Sequence, residues 1–72
     1  MDKKKLFGER VREIRKIKKM TQEQLSLESG IDRTFVAHIE AGSRNISLGT
    51  MENIFFGLGV SFKYFFSTKE FS

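Results

Sequence analysis

The residues of this 72-residue chain best suited to chemistry stand together in the stretch RTFVAH. Arg33 carries a guanidinium whose paired N–H groups match the O6 and N7 acceptors of guanine in the DNA major groove. The hydroxyl of Thr34 suits a base or a phosphate, and the ring of Phe35 suits a thymine methyl group. His38 follows about one helical turn later on the same face. We interpret these four as candidate base-reading residues. For Phe35 a core or dimer contact remains open, and for His38 an ordinary surface position.

Two short helices joined by a sharp turn must position these side chains. Thr21 and Gln24 have the spacing of a capping box, which predicts the start of the first helix. Gly30 supplies a residue that tolerates positive φ where that helix ends. Asp32 caps the second helix, which ends before Gly42. This arrangement predicts a helix-turn-helix whose second helix enters the major groove.

Residues on either side of the second helix are candidates for contact with the DNA backbone. Gln22 opens the first helix of the unit, where free backbone N–H groups and the helix dipole attract phosphate. Arg44 and Asn45 follow the second helix in a loop of the kind that clamps phosphates, and a contact in the minor groove remains open for them. Ser47 opens the next helix and suits an extension of that clamp, although capping alone would also explain it.

Four predicted caps indicate an all-α chain. Thr21, Asp32, Ser47 and Ser61 each have apolar residues at the positions of a hydrophobic staple, so each predicts a helix start. A further helix over roughly residues 3–18 precedes them. No strand alternation or linker is evident, so residues 1–72 are predicted to form one five-helix domain. Its predicted core comprises Phe7, Val11, Ile14, Leu25, Val36, Ile39, Met51, Ile54, Phe55, Leu58, Val60 and either Phe65 or Phe66.

Composition argues against several classes of function. The chain has no cysteine and one histidine, which disfavours a disulfide framework and a zinc site, and no cofactor is expected. It has no Gly-rich phosphate loop and little room for a pocket, so we expect no enzyme. No apolar run is long enough to cross a bilayer, and we expect a cytoplasmic protein with no membrane partner. The net charge is +4, with the basic residues concentrated in residues 1–20, which suits a polyanionic partner.

The aromatic residues are concentrated near the end of the chain. Six of the eight phenylalanines and the single tyrosine lie between Phe55 and Phe71. One small core cannot cover them all, and surplus apolar surface marks an interface. An aromatic-rich core and a weakly amphipathic tail that touches a membrane are the alternatives. We therefore predict that Phe62, Tyr64 and Phe66 form a C-terminal dimerisation helix. A two-fold dimer would place its two recognition helices, the second helix of each helix-turn-helix, about 34 Å apart on a pseudo-palindromic site.

The segments TQEQLSLESGID and IEAGSRN resemble the lambdoid-repressor-like, xenobiotic-response-element type of helix-turn-helix regulator. The resemblance covers about residues 6–66 and implies a compact five-helix domain whose second and third helices form the helix-turn-helix. It further implies that Arg15 and Glu40 form a structural ion pair between the first and third helices. Lys19 stands where the family usually has glycine, and Ser29 stands where an apolar residue is usual.

Within that family, DRTFVAHIEAGSRNISLGTMENI is most similar to the controller proteins of restriction–modification systems. The resemblance implies a homodimeric transcription regulator that binds a double-stranded operator beside its own gene. No small-molecule ligand is expected, and RNA polymerase is a further expected partner. A phage-type repressor, or an antitoxin-like interaction module that also binds DNA, remains an alternative.

Overall fold

Five α helices form the chain in a computed structural model that describes residues 2–71. Within that range there is no strand, which confirms the predicted all-α, five-helix class. A short 3-10 helix near the end of the chain was not predicted. The elements are α1 (Lys3–Ile17), α2 (Gln22–Ser29), α3 (Arg33–Ala41), α4 (Leu48–Leu58), α5 (Phe62–Phe65) and the 3-10 helix (Lys69–Phe71).

All four predicted caps open the helices that follow them. The side chain of Thr21 accepts a hydrogen bond from the Gln24 backbone, and the Gln24 side chain accepts one in return, which completes the capping box. The side chains of Asp32, Ser47 and Ser61 accept equivalent bonds at the starts of α3, α4 and α5. Each cap satisfies a backbone N–H that has no partner inside its helix.

Helix α1 begins after Asp2, which the sequence analysis did not assign as a cap, and is followed by Lys19, which stands where the family usually has glycine. The carboxylate of Asp2 accepts hydrogen bonds from the backbone N–H groups of Lys4 and Lys5 at 3.0 and 3.4 Å. At the other end Lys19 adopts a left-handed conformation, with φ at 58°. A residue with a Cβ is strained there, so a lysine at this position costs stability that glycine would not.

Replacing Lys19 with glycine should therefore stabilise the chain. We expect Lys19→Gly to raise the free energy of unfolding by about 0.5–1 kcal/mol, because relief of the left-handed strain exceeds the added entropy of the unfolded state. Urea denaturation followed by circular dichroism measures this. Lys18→Gly is the control: φ at Lys18 is −84°, so glycine there should stabilise nothing. A Lys19→Gly variant no more stable than the parent would contradict the argument.

The core lies where α1, α2, α3 and α4 meet and is closed by α5. Most of the predicted core residues are buried; Met51 and Val60 are only partly covered. Phe65 rather than Phe66 is the fully buried aromatic of α5, with 0% exposure. The buried apolar residues are Phe7, Val11, Ile14, Leu25, Ile31, Val36, Ile39, Ile54, Phe55, Leu58 and Phe65.

Two glycines allow the helices to cross closely. A Cβ on Gly8 would lie 2.2 Å from the carbonyl oxygen of Ile39, so α1 meets the backbone of α3 directly. A Cβ on Gly57 would lie 2.8 Å from the Cβ of Ser29, so α4 meets α2 equally closely. Ser29 is buried at this crossing, and its hydroxyl donates to the Ser26 carbonyl at 3.4 Å and accepts from the Ile31 backbone N–H at 3.3 Å. These bonds satisfy the polar group at the position where the family usually has an apolar residue.

Candidate nucleic-acid interface

The front of α3 presents the first two candidate base-reading residues to solvent. Arg33 and Thr34 are exposed, and within residues 2–71 neither side chain makes a hydrogen bond or ion pair. The cap at Asp32 begins the helix immediately before them, while Val36 behind them is fully buried. Both side chains are therefore available to a ligand, and the helix that carries them is anchored in the core by its opposite face. His38 is half-buried on the same helix, and its carbonyl accepts bonds from the turn that follows.

Phe35 lies between the core and the loop that follows α3. It is half-buried and packs against the core. The Cζ atom of Arg44 lies 6.0 Å from the centroid of the Phe35 ring, at the outer limit of a cation–π contact. The core contact left open by the sequence is therefore part of its role. Only the remaining exposed part of the ring is available for a base.

A carboxylate at the end of α3 joins three helices. Glu40 Oε2 accepts a hydrogen bond from Arg15 Nε at 2.6 Å, and Oε1 accepts one from Arg15 Nη2 at 3.1 Å. The two side chains are only 10% and 4% exposed, so this is a buried bidentate pair. Arg15 also donates to the carbonyl of Met20 at 2.7 Å, in the turn before α2. The pair therefore positions α2 and α3 against α1.

The same carboxylate orients the candidate phosphate ligand at the start of α2. The side-chain amide of Gln22 donates to Glu40 Oε1 at 3.1 Å. One of the two amide protons is thus used inside the protein, which leaves the other proton and the backbone N–H for a phosphate. Sequence reasoning placed Gln22 at the helix N-terminus correctly. It did not anticipate the contact with Glu40, because the two residues are eighteen positions apart.

The basic residues of the first twenty positions do not form one face. Lys3 and Lys4 line an open groove of about 620 Å³ together with Arg44 and Asn45. Lys18 lies at the other end of α1, in a separate shallow groove that includes exposed residues of α2 and α4. The fifteen-residue length of α1 separates the two groups. Only the first group therefore adjoins Arg44 and Asn45, whereas Lys18 lies closer along the chain to Gln22.

The remaining candidate backbone contacts lie in and after the loop between α3 and α4. Arg44 and Asn45 are exposed, and the Asn45 side chain makes no hydrogen bond within the described part of the chain. The Ser47 hydroxyl is already engaged with the backbone N–H and the hydroxyl of Thr50, both at 3.1 Å. The Ser47 hydroxyl thus already has a capping role, whereas the Asn45 side chain has no such internal role.

Exposed aromatic side chains lie on α5, as the surplus of aromatic residues predicts. Phe62 is 62% exposed and Tyr64 is 46% exposed, while Phe66 is half-buried with its ring centroid 4.7 Å from that of Phe62. We call these three residues the aromatic surface. Phe56 is also exposed but lies in the second groove beside Leu27, on the side formed by α2 and α4.

Comparison with known proteins places this geometry in a family. The helix-turn-helix family model matches residues 11–65. Control protein C.BamHI from Bacillus amyloliquefaciens is 48% identical over 56 residues, which are 76% of this chain and 69% of that protein. The crystal structure of the restriction–modification controller protein C.AhdI from Aeromonas hydrophila superposes with a TM-score of 0.86 at 35% identity, covering 92% of this chain and 100% of that one. This chain belongs to the helix-turn-helix family of restriction–modification controller proteins.

One similar controller protein has been solved with DNA. C.Esp1396I, as a tetramer in complex with its natural 35-base-pair operator, superposes with a TM-score of 0.85 at 40% identity. The match covers 88% of this chain and 83% of that one. Members of the controller family are DNA-binding transcription regulators rather than enzymes. Over the residues described for this chain, no helix is long and apolar enough to cross a membrane.

Proposed function

We propose that this chain is a sequence-specific regulator that binds a pseudo-palindromic operator as a homodimer and controls the operon of its own restriction–modification system. The observation that carries the proposal is the front of α3, where Arg33 and Thr34 are exposed and unengaged on a helix whose opposite face is buried. A side chain that reads bases must be available in the unbound protein and must be carried by a backbone of fixed position. The buried opposite face of α3 supports the second condition, and the exposure of Arg33 and Thr34 supports the first.

Each candidate residue has a distinct role in this proposal. Arg33 reads a guanine, Thr34 contacts a neighbouring base or phosphate, and the exposed part of Phe35 packs against a thymine methyl group. His38 contacts the groove or a phosphate one turn further along the helix. The residues that bind the DNA backbone are Gln22, Arg44, Asn45 and Ser47. For Ser47 the contact is limited to what the capping interaction leaves free.

The dimensions of the chain support binding as a pair. The molecule measures 30 × 22 × 21 Å and carries one recognition helix. Two half-sites one DNA turn apart are separated by about 34 Å, so one copy is too short to read both. The aromatic surface, Phe62, Tyr64 and Phe66, supplies an apolar patch for a second copy. The tetramer of C.Esp1396I on its operator supports the same kind of assembly here.

The cellular setting follows from the proposed role. An operator-binding controller acts in the cytoplasm, where the DNA is, and alters the access or recruitment of RNA polymerase at an adjoining promoter. We infer that the operator lies immediately upstream of the gene for this chain, as the similarity to controller proteins suggests. That upstream DNA is therefore the probe for binding experiments.

The Arg33→Ala variant should distinguish recognition of bases from nonspecific electrostatic binding to the DNA backbone. On a duplex of the upstream sequence we expect a loss of about 1–3 kcal/mol, with discrimination reduced at one base pair of each half-site. On a scrambled duplex of the same composition the loss should be small. Fluorescence anisotropy at several salt concentrations measures both affinities.

Arg44→Ala is the matched control, because it removes the same side chain from the backbone-contacting loop. It should weaken the upstream and scrambled duplexes by similar factors and reduce the salt slope by about one. If Arg33→Ala weakened both duplexes equally while Arg44→Ala changed base preference, the two roles would be reversed. If the parent chain bound both duplexes equally well, sequence-specific regulation would be wrong.

A further inference from the structure

A buried arginine on α1 is directed at the end of α5. Arg10 is 8% exposed, and its Nε donates to the carbonyl oxygen of Phe65 at 2.7 Å. Its Nη2 donates to the carbonyl oxygen of Tyr64 at 3.0 Å, and its Nη1 pairs with the exposed carboxylate of Glu13 at 2.9 Å. Its Cζ atom lies 5.3 Å from the centroid of the Tyr64 ring. One guanidinium thus contacts both the backbone and the side chain of α5.

Helix α5 needs such a contact because it is a single turn. It contains four residues, Phe62–Phe65, so its own hydrogen bonds offset little of the cost of ordering the turn. The carbonyls at the end of a helix have no partner within it. Arg10 donates to the Phe65 carbonyl, and it also donates to the Tyr64 carbonyl, which accepts further hydrogen bonds from the backbone N–H and the hydroxyl of Ser67. The guanidinium also places a positive charge at the negative end of the helix dipole. A residue more than fifty positions away in the chain is thus one of the groups that hold α5, together with the Ser61 cap and the buried Phe65.

The orientation of α5 decides what the chain presents to a partner. Phe65 faces inward and is fully buried, whereas Phe62 and Tyr64 face solvent. Since one helical turn rotates as a unit, holding the carbonyls of residues 64 and 65 also sets the directions of Phe62 and Tyr64. The guanidinium lies against the Tyr64 ring as well, which limits the rotamers of that side chain.

We propose that Arg10 is a positioning residue for self-association, holding α5 so that Phe62 and Tyr64 meet a second copy of this chain. The inference rests on the homodimer proposed above and adds the residue on which the shape of its interface depends. Without the guanidinium the core contact of Phe65 and the Ser61 cap remain, but the Phe65 carbonyl loses its donor and the C-terminal end of the turn frays more readily. The dimer is then weakened by more than the loss of fold stability alone would explain.

Sedimentation equilibrium of the full chain and four variants tests this. Arg10→Met keeps the bulk of the side chain but removes every donor, and we expect it to raise the dimer dissociation constant by about tenfold or more. Arg10→Lys keeps the charge but cannot donate to both carbonyls in the same fork geometry, so an intermediate increase is expected. Glu13→Gln removes only the exposed ion pair and should dimerise like the parent.

Val11→Ala is the control for stability, because Val11 is the neighbouring core residue on α1 and is 0% exposed. All variants are compared at a temperature where circular dichroism shows each to be folded. If Arg10→Met does not fold, Arg10→Lys decides by the same comparison. Arginine variants that dimerise as tightly as Val11→Ala would overturn the inference and leave the homodimer standing. A parent chain that is monomeric at tens of micromolar would overturn both.

Discussion

Replacing Gly8 with alanine should destabilise the chain by about 3 kcal/mol or more, a large fraction of the stability of so small a domain. The added Cβ would lie 2.2 Å from the carbonyl oxygen of Ile39 and 2.7 Å from that of Glu40. Both atoms belong to the backbone of α3, so no side-chain rotation can relieve the overlap. Helix α1 or α3 must move instead. Urea denaturation followed by circular dichroism gives the free energy of unfolding.

Gly49→Ala is the matched control for this substitution. Gly49 also lies inside a helix, but its Cβ would meet only the Ser47 hydroxyl at an ordinary 3.8 Å. Alanine there should be neutral or stabilise α4 by up to about 1 kcal/mol, because glycine is the poorer helix former. A Gly8→Ala variant that lost less than about 1 kcal/mol would contradict the direct backbone contact between α1 and α3.

Breaking the Arg15–Glu40 pair should be the other large loss. We expect Arg15→Met and Glu40→Leu each to cost about 3–5 kcal/mol, because either change leaves a buried charge without its partner. The double variant should cost much less than the sum, since it removes both charges together. Thermal and urea unfolding of the four proteins complete the double-mutant cycle. Losses that add within about 0.5 kcal/mol would show that the two side chains do not interact directly.

Glu13→Gln provides the exposed comparison for that cycle. Its carboxylate also pairs with an arginine, at 2.9 Å from Arg10 Nη1, but the Glu13 side chain is 57% exposed. An ion pair of that exposure contributes about 1 kcal/mol at most.

If Glu40→Leu proves too unstable to study alone, trimethylamine N-oxide in all samples restores a measurable transition.

The starts of four helices and most of the core could be predicted because their causes are local. A cap such as Ser47 and its staple lie within a few residues of the helix they begin, so both can be found in the sequence. The burial of Val36 follows in the same way from the period of one helix. The pairing of Arg15 with Glu40 was not local, and it was expected only through the resemblance to a family.

What could not be predicted depends on how distant segments meet. In the sequence Gly8 is only a glycine that weakens a predicted helix, and its role becomes evident only from the close contact with the backbone of α3. Arg10 looks like one of nine basic residues in the first twenty positions, and only the approach of α5 explains its burial. Phe35 falls on the outward side of α3 by its period, yet the packing around the following loop covers part of its ring.

The backbone contact at Gly8 has a consequence for how such a protein can change its target. Helix α3, the proposed recognition helix, packs against α1 through main-chain atoms and through the side chains of its buried face. None of these atoms contacts DNA in the proposed complex. Arg33 and Thr34 take no part in that packing. Different residues can therefore occupy those two positions without loosening the helix. With the base-reading roles proposed for Arg33 and Thr34, operator preference can then be exchanged while the fold is retained.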